Sequence, residues 1–275
     1  NYALDAPRMV TKPLPGGTPI AKTPDPGIPY ELVPKERYTD AKYVSLEWDR
    51  LWKKVWTLAG RVESITEAGD YFTYDLGKES FLITRDNEGA IRAYYNVCLH
   101  RGNRLRPVRG VGHTESFQCS YHHWEWNIDG TVKRIPDPET YPQKLDHDCL
   151  KLREVQADTW GGFVFINMDP EAEPLRDYLG MVPEHLDPYH LQDMVLVGDQ
   201  TVEWDCNWKT SLDAFNEAYH VQAIHPQLMS WMDDYHIQID TYDKHTRMIV
   251  PMGIPSVRYK DQDETHTDLD QIIEN

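Results

Sequence analysis

From residue 45 onward the chain shows patterned hydrophobicity. Ser45 suits an N-cap, Glu47 falls in the first turn, and Leu51, Trp52, Val55 and Trp56 recur at helical spacing. The pattern predicts a helix that starts at Ser45 and stops before Gly60, with its tryptophans in a core. Residues 56–166 then read as short strands. DYFTYDL and SFLITRD are alternating or β-rich, Asp86-Asn87-Glu88-Gly89 turns the second into IRAYYNV, and Asp129-Gly130 joins WEWNI to TVKRI. GGFVFIN, from Gly161 to Asn167, closes this series. Beyond it LRDYLG and PEHLDPYHL suggest short helices, DMVLVGDQTVEW suggests a strand, and NWKTSLDAFNEAYHVQAIHP suggests a helix from Asn207 towards Pro226.

The pattern divides the chain into an arm over 1–44, a β domain over 45–168 and a mixed domain over 169–275. The expected fold class is α+β, an antiparallel β domain followed by part of a mixed α+β domain. Residues 1–36 carry eight prolines, which favours an extended or disordered arm.

Composition narrows the partners. The chain has 275 residues, 40% of them hydrophobic, so it is globular and long enough for two cores. A net charge of −17 argues against nucleic acid and anionic membrane surfaces. No apolar run of about 18 residues and no signal sequence is visible, so a cytoplasmic protein is the default expectation. Cys149 and Cys206 are expected as free thiols. The start at Asn1 without methionine and the acidic run up to Asn275 suggest a fragment at both ends.

Chemistry concentrates between Cys98 and Trp124. Cys98 with His100, and Cys119 with His122, form two short ligand pairs separated by eighteen residues. A zinc finger usually takes two cysteines from one turn and two histidines from another, whereas each turn here is mixed. Two such loops can divide their donors between two metals, thiolates on one and imidazoles on the other, as in a Rieske [2Fe–2S] centre. The stretch resembles the CxH…CxxH signature of Rieske proteins, including Arg101-Gly102 after the first histidine and Trp124 after the second loop. Arg101, Arg104, Arg106 and Arg109 lie beside the first pair with no acid among them. They could stabilise an anionic cluster, dock an acidic electron donor, or form a solvated basic loop.

The second constellation is Asp213, Glu217, His220 and His225. On one continuous helix the first three lie within about 60° of arc, while His225 stands about 140° from His220. The two histidines then converge only if the helix breaks or loosens between them, and Pro226 disfavours helix at His225. Two imidazoles and a carboxylate on an open face suit mononuclear non-haem Fe(II). The spacing, acid-x3-acid-x2-His-x4-His, resembles the iron motif of Rieske ring-hydroxylating oxygenase α subunits, as does Trp160-Gly161-Gly162-Phe163 between the two sites. The resemblance covers residues from about 45 to 226.

This resemblance implies a [2Fe–2S] cluster on Cys98, His100, Cys119 and His122, and a catalytic Fe(II) on His220 and His225. It implies a second domain of the helix-grip type. Glu217 would be the carboxylate that links His122 of one subunit to His220 of the next, in place of the commoner aspartate, and Asp213 would be a further catalytic acid. NAD(P)H electrons would arrive through a reductase, with or without a ferredoxin. O₂ and a small organic substrate would react in a homotrimer or α3β3 assembly. An aromatic substrate is expected first and an alkyl-ammonium one second; Phe215, Met229, Trp231 and Met232 could line an apolar pocket, with core packing the stronger expectation for each. The third iron ligand is expected beyond Asn275, with Asp233 and Asp234 on the surface. A Rieske electron-transfer protein with a vestigial second site is one rival reading, and a zinc-stabilised binding module is the other.

Overall fold

The computed structural model describes residues 32–142 and 144–259. The proline-rich part of the arm before residue 32 and the acidic run after residue 259 lie outside them. The chain forms two compact units, one from Ala41 to Val197, the other joining the described residues before Ala41 to those from Gly198 onward.

In the first unit α2 (Ala41–Glu47), which follows the one-turn helix α1 (Glu36–Thr39) at the end of the other unit, continues into a π-helical turn over Trp48–Trp52. The predicted N-cap at Ser45 is therefore wrong. Ser45 lies inside the helix, its hydroxyl donating to the Ala41 carbonyl at 3.2 Å, and the helix ends early enough for Thr57 to enter a strand. Trp56 is buried, as expected, against Phe165, Leu175 and Leu179.

Ten strands follow: β1 (Thr57–Arg61), β2 (Asp70–Leu76), β3 (Glu79–Arg85), β4 (Ile91–Tyr95), β5 (Val111–His113), β6 (Ser116–Gln118), β7 (Glu125–Asn127), β8 (Val132–Arg134), β9 (Glu154–Trp160) and β10 (Phe163–Asn167). Seven build one antiparallel sheet in the order β1-β10-β9-β4-β3-β2-β5, and β6-β7-β8 build a second. Strand β3 explains the two-sided core. Phe81, Leu82, Ile83 and Thr84 are each fully buried, so β3 is a continuous apolar run rather than an alternating one. Leu82 faces a cluster with Trp126, Phe117 and both Cys98 and Cys119, while Phe81 and Ile83 face Ile65, Phe72, Val155 and Val164. Helices α3 (Leu175–Leu179) and α4 (Val182–Leu186) follow β10, at the two helical segments expected there.

The second unit contains α5 (Trp208–Phe215), α6 (Val221–Ile224) and a hairpin of β11 (Gln238–Thr241) with β12 (Thr246–Ile249). Its buried cluster is small: Ala218, Val221, Met229 and Met232, flanked by Leu228, Ile237 and Val250. The strand expected over Asp193–Trp204 does not form among the described residues; Val195, Val197, Val202 and Trp204 are exposed. β-propensity needs a ladder partner to become a strand, and none of the described residues supplies one here.

Candidate metal centres

The fold places the two Cys/His loops at comparable points. The first leaves β4, and the second is the tip between β6 and β7. They close by the same hydrogen bonds. Cys98 N–H donates to the Asn103 carbonyl at 2.7 Å and Cys119 N–H to the Trp124 carbonyl at 2.8 Å. The Cys98 carbonyl accepts from Gly102 N–H at 2.9 Å, and the Cys119 carbonyl from His123 N–H at 3.0 Å. The residue four positions after each cysteine is left-handed, Gly102 at φ 72° and His123 at φ 58°. Two sequence stretches with different spacings thus form one repeated loop.

Both sulfurs are buried, at 2% and 1% relative exposure for Cys98 and Cys119, and each receives two backbone N–H groups, from His100 and Arg101 at the first and from Tyr121 and His122 at the second. Asn103 Nδ2 also points at Cys119 Sγ, 3.6 Å away, so one loop reaches the other's sulfur. Burial pushes the Cys98 thiol up, with the Cys119 sulfur adding to it. At Cys119 burial acts in the same sense but is outweighed by the N–H groups around it, and its pKa falls. At Cys119 the surrounding donors therefore favour the thiolate, whereas at Cys98 burial and the second sulfur oppose it, a cost that a bound cation would offset.

The imidazoles converge as well. The His100 and His122 rings lie 4.7 Å apart, and His100 stacks on Trp124 at 5.0 Å with a 7° interplanar angle. Burial, then the neighbouring His122 and Arg101, lower the His100 pKa and favour the neutral ring that binds metals. His100 Nδ1 is buried without a hydrogen-bond partner. A buried orphan nitrogen costs roughly 1–3 kcal/mol, which a metal bond would remove. Among the described residues no three His, Cys, Asp or Glu side chains gather around one metal position. A two-iron cluster needs only two protein donors per iron, so the pairs Cys98/Cys119 and His100/His122 fit a Rieske cluster better than a tetrahedral zinc ion.

The arginines divide. Arg104 pairs with Asp75 at 3.1 Å. Arg106 donates to the Leu105 and Ser116 carbonyls, both at 3.0 Å, and lies over the Tyr71 and Phe117 rings. These two hold the loop in place. Arg101 is exposed, with its guanidinium 5.8 Å from the centre of the Tyr121 ring, and Tyr121 packs on His122 at 3.8 Å.

The second site departs from the expected continuous helix. Asn207 caps α5, its side chain accepting from Lys209 N–H at 3.1 Å, and the helix ends at Phe215. Glu217 lies in the break, so it does not share a continuous helical face with Asp213 and His220. The break precedes His220 instead of separating the histidines. His220 leads into α6 and His225 ends it at φ −127° and ψ 49°, outside the α region that Pro226 disfavours. The rings stand 5.5 Å apart at 74°. Ala218 and Val221 anchor the turn on Met229 and Met232.

Glu217 accepts from the backbone N–H of His220 at 3.1 Å and from that of Tyr219, and its other oxygen meets His220 Nδ1. Burial alone would raise its pKa; the His220 ring and these N–H groups outweigh it and hold the carboxyl below its usual range. Asp213 instead accepts from the Tyr38 hydroxyl at 2.6 Å. Asp233 and Asp234 correct the surface expectation, being 1% and 3% exposed. Asp233 accepts from Tyr235 N–H and His236 N–H and meets His236 Nδ1 at 2.8 Å, while Asp234 pairs with Arg258 at 2.7 Å. Of the candidate pocket residues, Met229 and Met232 are core and Phe215 is exposed. Asn103 and Tyr38 are the contacts that motif reading missed. An asparagine beside a cysteine loop is a usable signal, but nothing in the local sequence points from Tyr38 to Asp213.

A buried two-sulfur, two-imidazole site on paired loops, followed by a His–His turn with a carboxylate beside it, defines a Rieske-type non-haem iron protein. Residues 55–151 match the Rieske [2Fe–2S] domain family, and residues 191–272 match the family described as ring hydroxylating alpha subunit (catalytic domain). The chain belongs to the Rieske ring-hydroxylating oxygenase α subunits. It is 34% identical to the large oxygenase component of the naphthalene 1,2-dioxygenase system of Pseudomonas putida, over 68% of this chain and 42% of that protein. It is 32% identical to the carnitine monooxygenase oxygenase subunit of Escherichia coli (strain K12), over 76% of this chain and 55% of that protein. A crystal structure of a quaternary ammonium Rieske monooxygenase with gamma-butyrobetaine superposes with a TM-score of 0.67 at 26% identity, covering 79% of this chain and 63% of that one. The chain spans about half the length of the curated relatives it matches. No helix among the described residues is long and apolar enough to cross a membrane.

Proposed function

We propose that the whole protein is the terminal oxygenase component of a multicomponent system, using O₂ and electrons that originate in NAD(P)H to hydroxylate a small organic substrate. The observation that carries this reading is the buried, unpartnered Nδ1 of His100 beside two buried sulfurs, on one chain with the His220–His225 turn. Cys98, His100, Cys119 and His122 hold the cluster, and His220 and His225 hold the iron. A cluster bound there supplies single electrons, and an iron bound at the second site supplies O₂ reduction and substrate oxidation.

The chain's own residues do the rest. Glu217 orients His220 by contact at Nδ1 and, in an assembled trimer, joins that ring to His122 of a neighbouring subunit. Trp124 fixes the plane of His100 by stacking, which sets the direction of its orphan nitrogen. Arg101 and Tyr121 offer an exposed cation and ring beside His122 for a reductase or ferredoxin to meet. The assembly is a homotrimer or α3β3 in the cytoplasm, with a Rieske domain spanning about residues 45–168.

An aromatic substrate is favoured by the 34% relative named for naphthalene. An alkyl-ammonium substrate is the second reading, supported by glutamate at position 217 and the relative named for carnitine. O₂ uptake and product formation by the full-length protein with its reductase, against naphthalene and against carnitine, separate the two. Electron acceptance without O₂ uptake on any substrate would instead support the electron-transfer rival.

A further inference from the structure

Helix α5 is poorly buried. It buries none of its residues among the described part of the chain, and Leu212 and Phe215 stand 48% and 69% exposed. Two hydrogen bonds join it to α1, more than 160 residues earlier in sequence. Tyr38 Oη donates to Asp213 Oδ2 at 2.6 Å, and Asn207 Nδ2 donates to the Tyr38 carbonyl at 3.2 Å. The same Asn207 caps α5, and Lys209 Nζ lies 5.5 Å from the centre of the Tyr38 ring. One tyrosine therefore touches both ends of the helix, its cap and its last turn.

The contact at Asp213 leads directly to the reactive turn. The Asp213 carbonyl accepts from Asn216 N–H at 3.3 Å, and Glu217 is the next residue. Holding Asp213 therefore holds the point where α5 stops and the Glu217–His220 turn begins. We infer that Tyr38 and Asp213 form a clasp that positions this turn, with Asp213 a positioning residue rather than a catalytic acid. Its carboxylate accepts the tyrosyl proton's hydrogen bond, an arrangement that also raises the Tyr38 pKa, first through that bond and then through burial and the Asp213 charge. The role in turnover rests on the proposed oxygenase function; the clasp itself does not.

The test uses Tyr38→Phe, Asp213→Ala, Asp213→Asn and the Tyr38→Phe/Asp213→Ala pair in the full-length protein. Trypsin cleavage at Arg37–Tyr38 reports opening of α1, and steady-state kinetics report the turn. Tyr38→Phe and Asp213→Ala should each speed cleavage about five-fold, the size expected from losing one net hydrogen bond of about 1 kcal/mol. The double variant should be no faster than either single one, because the same bond is lost. Asp213→Asn, whose amide oxygen still accepts from the tyrosine, should behave as wild type in cleavage and restore most of the kcat lost in Asp213→Ala. Unchanged cleavage in all variants would overturn the clasp. Loss of turnover in Asp213→Asn with full turnover in Tyr38→Phe would show instead that Asp213 acts as an acid. If the protein proves not to be an oxygenase, the cleavage rates still decide whether the clasp exists.

Discussion

Gly102→Ala tests whether the repeated loop is a geometric requirement of the cluster site. Gly102 sits at φ 72°, and a Cβ placed there would meet no atom within 4 Å. The cost is therefore backbone strain alone, about 1–2 kcal/mol for an L-residue in the left-handed region. A slightly stiffer unfolded chain returns up to about 1 kcal/mol of this. The net loss should be about 1 kcal/mol, which corresponds to about 2–4 °C in Tm for a protein of this size. His123 occupies the equivalent place in the second loop at φ 58° and already bears that strain. His123→Gly removes the strain but adds unfolded-state entropy of roughly 0.5–1 kcal/mol, so it should be neutral or slightly stabilising. Thermal unfolding of the cluster-loaded protein, followed by visible absorption and circular dichroism, measures both. A harmless Gly102→Ala together with a His123→Gly that costs more than about 1 kcal/mol would refute the equivalence of the loops.

Other perturbations read separate links. Trp126→Ala removes a fully buried ring whose Nε1 donates to the Leu150 carbonyl at 2.9 Å; chemical denaturation should show a loss of about 3–5 kcal/mol. Asp86 is buried, and although burial opposes its charge, Arg92 and the N–H groups of Ala90 and Glu88 hold its pKa below the ordinary carboxylate value. A depressed folded pKa contributes stability above about pH 4 that is lost as pH falls through the folded value, so an acid titration of stability should flatten there in Asp86→Asn. Glu217→Ala should leave the iron content and cluster spectrum intact while abolishing product formation; retained coupled turnover would remove the bridging role.

The pairing of the two Cys/His loops was legible because such loops depend on residue types at short fixed spacings, and β2, β3, β4 and β10 because their apolar runs are bounded by turn residues. The helix break at Asn216–Tyr219 was not legible, since Ala214, Phe215, Ala218 and Tyr219 carry a helical pattern, and the side chain of Glu217 instead closes the next turn by accepting from the Tyr219 and His220 N–H groups. Burial of Asp233 and Asp234 was hidden for a related reason. Their partners are His236, three residues on, and Arg258, twenty-four residues on, and an ion pair leaves no periodic trace. The strand expected over Asp193–Trp204 shows the converse, a β-rich pattern without a pairing neighbour among the described residues. Tyr38 and Asp213, 175 residues apart, meet only through tertiary structure.

The central claim is that the four loop residues hold a two-iron, two-sulfide cluster and the His220–His225 turn a third iron. Iron and acid-labile sulfide analysis of the purified full-length protein, with its visible spectrum, tests this most directly. The account predicts about three irons and about two sulfides per chain with Rieske-type absorption, falling to about one iron and no sulfide in Cys98→Ser/Cys119→Ser. Zinc in place of iron, or iron without labile sulfide, would contradict it.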